Sequence, residues 1–194
     1  MSGYSERSRA FIAVRLEPSA EAVVEELIAR LRKEQPGISC TKPGNLHITL
    51  RFLGGAVAPE MLNALRAQLR PIAGQYSPFE LCVEGLGAFS NRNQPRVIWI
   101  GIKSAPLSEL AASIEAAAQD CGFAPESRPF TPHLAIARIR PGQRASLPSH
   151  LRDRQQVAFG RSTVDVFALY RSTLGSQGPD YAILETYRLK KRAA

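Results

Sequence analysis

The sequence predicts an α+β chain of mixed α/β character, built as two duplicated lobes whose largely antiparallel sheets face a central cleft, with helices packed outside. Three observations carry this expectation. Strand-like apolar runs alternate with helical stretches, and no long flexible linker divides the 194 residues. The second half repeats a pattern of the first, a helix followed by a strand bearing a histidine, at His47 and then at His133. Hydrophobic residues are 44% and charged residues 22% of the chain, ordinary globular usage that supports neither a disordered nor a fibrous class. One bilobal domain over residues 5–192 is expected.

The elements follow in order. "RAFIAVRL" (9–16) reads as a first strand. A helix opened by Pro18 and Ser19 places Val23, Val24, Leu27, Ile28 and Leu31 at helical spacing, and Pro36 and Gly37 end it. "NLHITLRFLG" (45–54) is a strand, followed by a helix from Pro59 to about Leu69 with Met61, Leu62, Leu65 and Leu69 on one side. "FELCVEGLG" (79–87) and "PRVIWIGIK" (95–103) read as paired strands joined by the polar loop "AFSNRNQ". A third helix spans Pro106 to Cys121 and is closed by Gly122. The remaining strands are "TPHLAIARIR" (131–140), "RSTVDVFALYRS" (161–172) and "YAILETYRL" (181–189), the first two joined by a Pro/Gly/Ser-containing connection through Ser149.

The polar opening and the short run "FIAV" suit neither a leader nor a membrane span. Three widely spaced cysteines, Cys40, Cys82 and Cys121, suit a reducing compartment, so a cytoplasmic protein is expected. The histidines and cysteines have no metal-ligand spacing, no nucleotide phosphate loop is present, and no metal or cofactor is expected. No obligate protein partner is evident. The net charge of +8 is lopsided: residues 1–127 carry 13 basic and 13 acidic side chains, residues 128–194 carry 12 and 4. Arginine supplies 20 of the 25 basic residues, and its planar fork suits phosphate oxygens, so an acidic polymer is a plausible partner.

Strict alternation puts His47, Thr49, Arg51 and Leu53 on one face of their strand, with Leu46, Ile48, Leu50 and Phe52 on the other. It also puts Thr131, His133, Ala135 and Ala137 on one face, with Leu134, Ile136 and Arg138 turned away. His47, Thr49 and Arg51 in a row suit an anionic ligand, with Arg51 divided between substrate contact and a rim salt bridge. Two histidines provide what in-line displacement at a phosphodiester needs without a metal: a neutral imidazole to take a proton from the attacking oxygen and an imidazolium to protonate the departing one. Trp99, alternating with hydrophobes, reads as core, and His150 as a surface loop residue.

With these residues in view, "HITL" (47–50) and "HLAI" (133–136) resemble the paired HxTx motifs of the two-histidine phosphoesterases. "AFIAVRL", "LHITLRFLG", "RVIWIGI", "FTPHLAIAR" and "LYRSTLGSQGPDYAIL" are similar, in order and spacing, to the LigT/ThpR branch, the RNA 2′,3′-cyclic phosphodiesterases also called 2′-5′ RNA ligases. The resemblance implies a bilobal fold and metal-independent opening of 2′,3′-cyclic phosphates, on RNA ends or nucleotides, to 2′-phosphomonoesters, with reversible 2′-5′ joining in some members. It implies His47 as proton donor to the leaving 3′ oxygen, His133 as the acceptor that activates water, Thr49 on the phosphate and Arg138 as a substrate contact. Ala135 departs from the pattern by replacing the second threonine. Thr131, or an arginine from the basic later segment, is the expected partial substitute on the phosphate. The alternative reading is an RNA- or nucleotide-binding module whose catalysis is weakened by Ala135. A cysteine hydrolase has no local signature.

Overall fold

A computed structural model describes residues 7–91, 94–140, 157–175 and 178–190. The elements in chain order are β1 (Ser8–Val14), α1 (Pro18–Glu34), β2 (Ser39–Cys40), β3 (Ile48–Val57), α2 (Pro59–Ala73), β4 (Phe79–Asn91), β5 (Gln94–Lys103), α3 (Ala105–Asp120), β6 (His133–Arg138), β7 (Ala158–Val164), β8 (Val166–Gly175) and β9 (Gly178–Arg188). Each helix carries a proline in its first turn, Pro18, Pro59 and Pro106, where a missing N–H costs nothing and the fixed φ is already helical. No helix is long and apolar enough to cross a membrane. His150 and the connection through Ser149 lie outside the described residues.

The strands form one antiparallel sheet in the order β7-β4-β5-β6-β3-β1-β8-β9, with the short β2 added on β6. The two expected sheets are present as its halves, β7-β4-β5-β6 and β3-β1-β8-β9, but they are continuous. Their join is a single antiparallel pair, Ile48 opposite Leu134, between the two histidine strands. Each of these strands is the inner edge of its half, and pairing them satisfies backbone groups that would otherwise be left open. The expected strand at 161–172 divides at Asp165, where the chain passes from β7 at one outer end of the sheet to β8 in the other half.

All three helices cover the same face. Val24, Leu27, Ile28 and Leu31 of α1, Leu62, Leu65 and Leu69 of α2, and Leu107, Leu110 and Ile114 of α3 join Ile12, Ile48, Ile98, Ile100, Leu134 and Ile136 of the strands in one core. The helices cross between halves: α1 packs on β7 and β2, and α3 packs under β3. Among the described residues the opposite face carries a small buried apolar cluster of Phe11, Ala13, Ala168 and Tyr170. A one-faced sheet of this kind needs its polar side chains to be explained by a ligand or by solvent.

Going along each histidine strand from its histidine, alternation first fails at the same place. In β3, Thr49 pairs with Ala13 but Arg51 with Ile12, so Leu50 is an extra residue. In β6, Ala135 pairs with Trp99 but Ala137 with Ile98, so Ile136 is extra. Each of these β-bulges lies three residues after the histidine and exchanges the faces of the residues that directly follow it. Arg51 and Leu53 therefore turn into the core, Phe52 turns out, Ala137 is buried and Arg138 reaches the open face.

The assignment of Arg51 to the substrate is thus corrected. Its side chain is only 6% exposed and lies on the helix side, with Nε 2.6 Å from Glu115 Oε2 of α3. Its other nitrogens pair with the Glu126 carboxylate and donate to the Ala124 carbonyl. Glu115 also accepts from the Glu126 backbone N–H at 2.9 Å. The guanidinium therefore pins the turn after α3 beneath β3. Replacing it with a neutral chain leaves a half-buried carboxylate without its counter-charge. Arg51→Met should lower unfolding stability by about 3 kcal/mol in urea titration with an unchanged m value, whereas a change within a few tenths would show the network to be surface decoration.

Candidate active site

The site is assembled at the seam. The Ile48–Leu134 pair lies on the pseudo-twofold that relates residues 47–49 to residues 133–135, so His47 and His133 stand diagonally across it on the open face. Diagonal neighbours on one face of an antiparallel pair are roughly 7–8 Å apart, a span that one phosphorus with its entering and leaving oxygens can bridge. His47 and Thr49 are half-buried, as are His133 and Ala135.

Both rings are held in the same way. His47 Nδ1 is 2.8 Å from the Asn45 carbonyl oxygen, and His133 Nδ1 is 2.8 Å from the Thr131 carbonyl oxygen. A carbonyl only accepts, so each Nδ1 carries the proton and donates it. Each neutral ring then presents the Nε2 lone pair for taking a proton, and each charged ring presents Nε2–H for giving one. Asn45 is itself fixed, its Nδ2 donating to the Pro179 carbonyl at 2.9 Å on β9. Thr131 precedes β6 rather than lying in it, so alternation does not govern its side chain. Its contact with His133 is through the carbonyl, which makes it an anchor of that ring.

Burial pushes the His47 pKa below the usual value; the Asn45 carbonyl opposes this, and the charges of Arg138, Arg15 and His133 add to the lowering. Burial likewise lowers His133, opposed by the Thr131 carbonyl and reinforced by Arg138. Arg138 acts on both rings because the Ile136 bulge brings it to their face. The cleft is thus poised for an anion, which would offset the arginine charge and favour protonation of one ring.

Aromatic rings flank each histidine. Phe11 is 4.8 Å and Tyr181 5.1 Å from His47 between centroids, and Phe11 stacks on Tyr170 at 5.0 Å. These residues line one pocket with Arg15 and Asn45. Phe89 is 4.8 Å from His133, with Trp99 at 6.4 Å. Trp99 is therefore on the open face and half-buried, a correction to its reading as core. It sits opposite Ala135, whereas small Ala13 sits opposite Thr49, so the missing threonine is matched by a large neighbour. Beyond the bulge in β3, the Arg9 guanidinium lies 4.4 Å above the Phe52 ring. Phe11, Trp99, Tyr170 and Tyr181 fall in stretches that carry the family resemblance, but nothing local assigns them to the site. Phe11 and Tyr181 alternate like any strand hydrophobe, and only the order of strands in the sheet brings them to His47.

The sequence matches the 2′-5′ RNA ligase superfamily over residues 17–175. The chain belongs to that family. It is 33% identical over 183 residues to an RNA 2′,3′-cyclic phosphodiesterase of Methanothermobacter thermautotrophicus, covering 93% of this chain and 98% of the relative. A protein of the same name from Aquifex aeolicus is 33% identical over 184 residues, covering 93% and 97%. Among solved structures, a Thermus thermophilus protein superposes with TM-score 0.82 at 30% identity, covering 95% of this chain and all of that one. The E. coli LigT apo structure gives 0.75 at 25% identity, covering 96% and 100%.

The lowered histidine pKa values have a consequence for this family member's stability. Folded rings that hold protons less readily than unfolded ones, whose ordinary value is about 6.5, give full stability above that pH and lose it as pH falls through it. The urea midpoint of the wild type should drop between about pH 7.5 and about pH 5, and by less in the double variant His47→Gln/His133→Gln. An equal drop in both would show that the rings are not held in their neutral form.

Proposed function

We propose that this chain opens RNA 2′,3′-cyclic phosphate ends, and the corresponding cyclic nucleotides, to 2′-phosphomonoesters. The observation that carries the reading is the matched pair of imidazoles, each anchored at Nδ1 by the carbonyl two residues before it, with the charge of Arg138 acting on both and that of His133 on His47. The relatives named RNA 2′,3′-cyclic phosphodiesterase support it, and E. coli LigT, 26% identical, has been solved with 3′-AMP.

The reaction needs two proton transfers. Water attacks phosphorus from the His133 side, and its proton passes to His133 Nε2. The bond from phosphorus to O3′ breaks, and O3′ takes the proton from His47 Nε2. The phosphate remains on O2′. Thr49 and Arg138 hold the non-bridging oxygens, where a charge-assisted hydrogen bond is worth roughly twice a neutral one. Ala135 offers no hydroxyl, so the site relies on Thr49 and Arg138. Each proton transfer contributes about 10²- to 10⁴-fold in rate.

Incubation of a cyclic-phosphate-ended RNA with the protein in EDTA should give 2′-phosphate ends. His47→Ala and His133→Ala should each lower turnover by about 10²-fold or more with unfolding transitions preserved. Tight nucleotide binding without product would favour the binding-module alternative, and full turnover in either variant would remove the histidine pair from the chemistry.

A further inference from the structure

We propose that Arg15 reads the base of the nucleoside at the cyclic end and selects guanine over adenine. The inference rests on the assignment of His47 to the leaving O3′, which seats that nucleoside on the His47 side, and it adds a base preference to the reaction. The pocket there is lined by Phe11, Tyr170 and Tyr181, with Arg15, Asn45 and His47 beside them. Aromatic rings take any base by stacking, because every base has a π-face. Choice among bases needs a polar group with a fixed hydrogen-bonding sense.

Arg15 is that group. Val14 is the partner of Ile48, so Arg15, the next residue, leaves β1 beside His47. Its Nη2 donates to both carboxylate oxygens of Glu21, at 2.8 and 3.0 Å, and Glu21 lies in the first turn of α1 with its side chain only 14% exposed. The guanidinium is thereby held in place while the Arg15 side chain stays 43% exposed, and its Nη1 has no partner among the described residues. Its charge acts on both His47 and Tyr170, which line the same pocket. The other polar side chains are committed or indifferent: Asn45 Nδ2 donates to the Pro179 carbonyl at 2.9 Å, and a tyrosine hydroxyl donates or accepts as its partner requires.

A guanidinium only donates and is always charged. Guanine presents O6 and N7 side by side, two acceptors that suit it. Adenine presents N7 beside the N6 amino group, so a donor would face a donor. No atom of Arg15 takes part in the bond changes at phosphorus; it determines specificity, and Glu21 positions it. RNA whose cyclic end is a guanosine is therefore the favoured substrate.

The test measures kcat/KM for the 2′,3′-cyclic phosphates of guanosine, inosine and adenosine in the wild type, Arg15→Met and Glu21→Gln. A ratio between two substrates is insensitive to the folded fraction and to general damage at the histidines. The wild type should favour guanosine over adenosine about tenfold, the discrimination of a good two-point contact. Inosine keeps O6 and N7 but lacks the 2-amino group, and should match guanosine within about twofold. Arg15→Met should bring the guanosine-to-adenosine ratio to within about twofold of one, and Glu21→Gln, which keeps Arg15 but loosens its hold, to an intermediate value. Equal wild-type values for guanosine and adenosine would overturn the proposal and leave the phosphodiesterase reading standing. So would an equal fall for both in Arg15→Met, which would place the guanidinium on the phosphate, or an inosine value equal to that of adenosine, which would place recognition at the 2-amino group. Absence of cyclic phosphate opening in the wild type would sink both.

Discussion

The proposed chemistry depends on how two imidazoles are held. Each has its Nδ1 committed to a main-chain carbonyl two residues earlier, at 2.8 Å in both cases. That single constraint selects the tautomer, aims Nε2 and removes the freedom of a half-buried ring to rotate. The second constraint is the seam: one pair, Ile48 with Leu134, brings the two rings to one face of one sheet. Separate sheets would have needed a rigid interface to fix the same spacing. A continuous hydrogen-bonded ladder fixes it locally.

The duplicated bulges explain which charges the cleft receives. Placed three residues after each histidine, they let one strand bring its fifth-following residue, Arg138, out to the site, and the other bring Phe52 out. The residue before each of these, Ala137 or Arg51, goes inward. An inward alanine needs no partner. An inward arginine does, and Glu115, Glu126 and the Ala124 carbonyl supply them from α3 and the turn after it. The same turn leads on to Thr131, the residue that anchors His133. Thus the histidine strand of one half is tied through Arg51 to the segment that leads to the histidine of the other.

The sequence revealed the elements and the histidines because their signals are local. Helical spacing, prolines at helix starts and alternating strands are legible in ten or twenty residues, and the repeated helix-then-histidine-strand pattern is legible without any fold. What escaped was decided across strands. A bulge is a mismatch between neighbouring strands, so no reading of "HITLRFLG" alone reveals that Arg51 turns inward. The alternation that assigned Arg51 to the ligand and turned Arg138 away failed for one shared reason. Trp99 reads as core because it alternates with hydrophobes, yet Ile98 and Ile100 fill the core and Gly87 on the adjacent strand makes room for it on the open face. The join between the halves likewise depends on edges meeting in space.

The held tautomer is the point on which the account turns, and it can be measured directly. Long-range ¹H–¹⁵N correlation spectra of histidine-labelled protein near pH 8 should show His47 and His133 both protonated at Nδ1, with Nε2 in the shift range of a bare lone pair. Assignment follows from the single alanine variants. A spectrum with either ring protonated at Nε2, or with both rings averaging between tautomers, would contradict the account, because a proton acceptor with its lone pair turned to a carbonyl cannot act on the cleft.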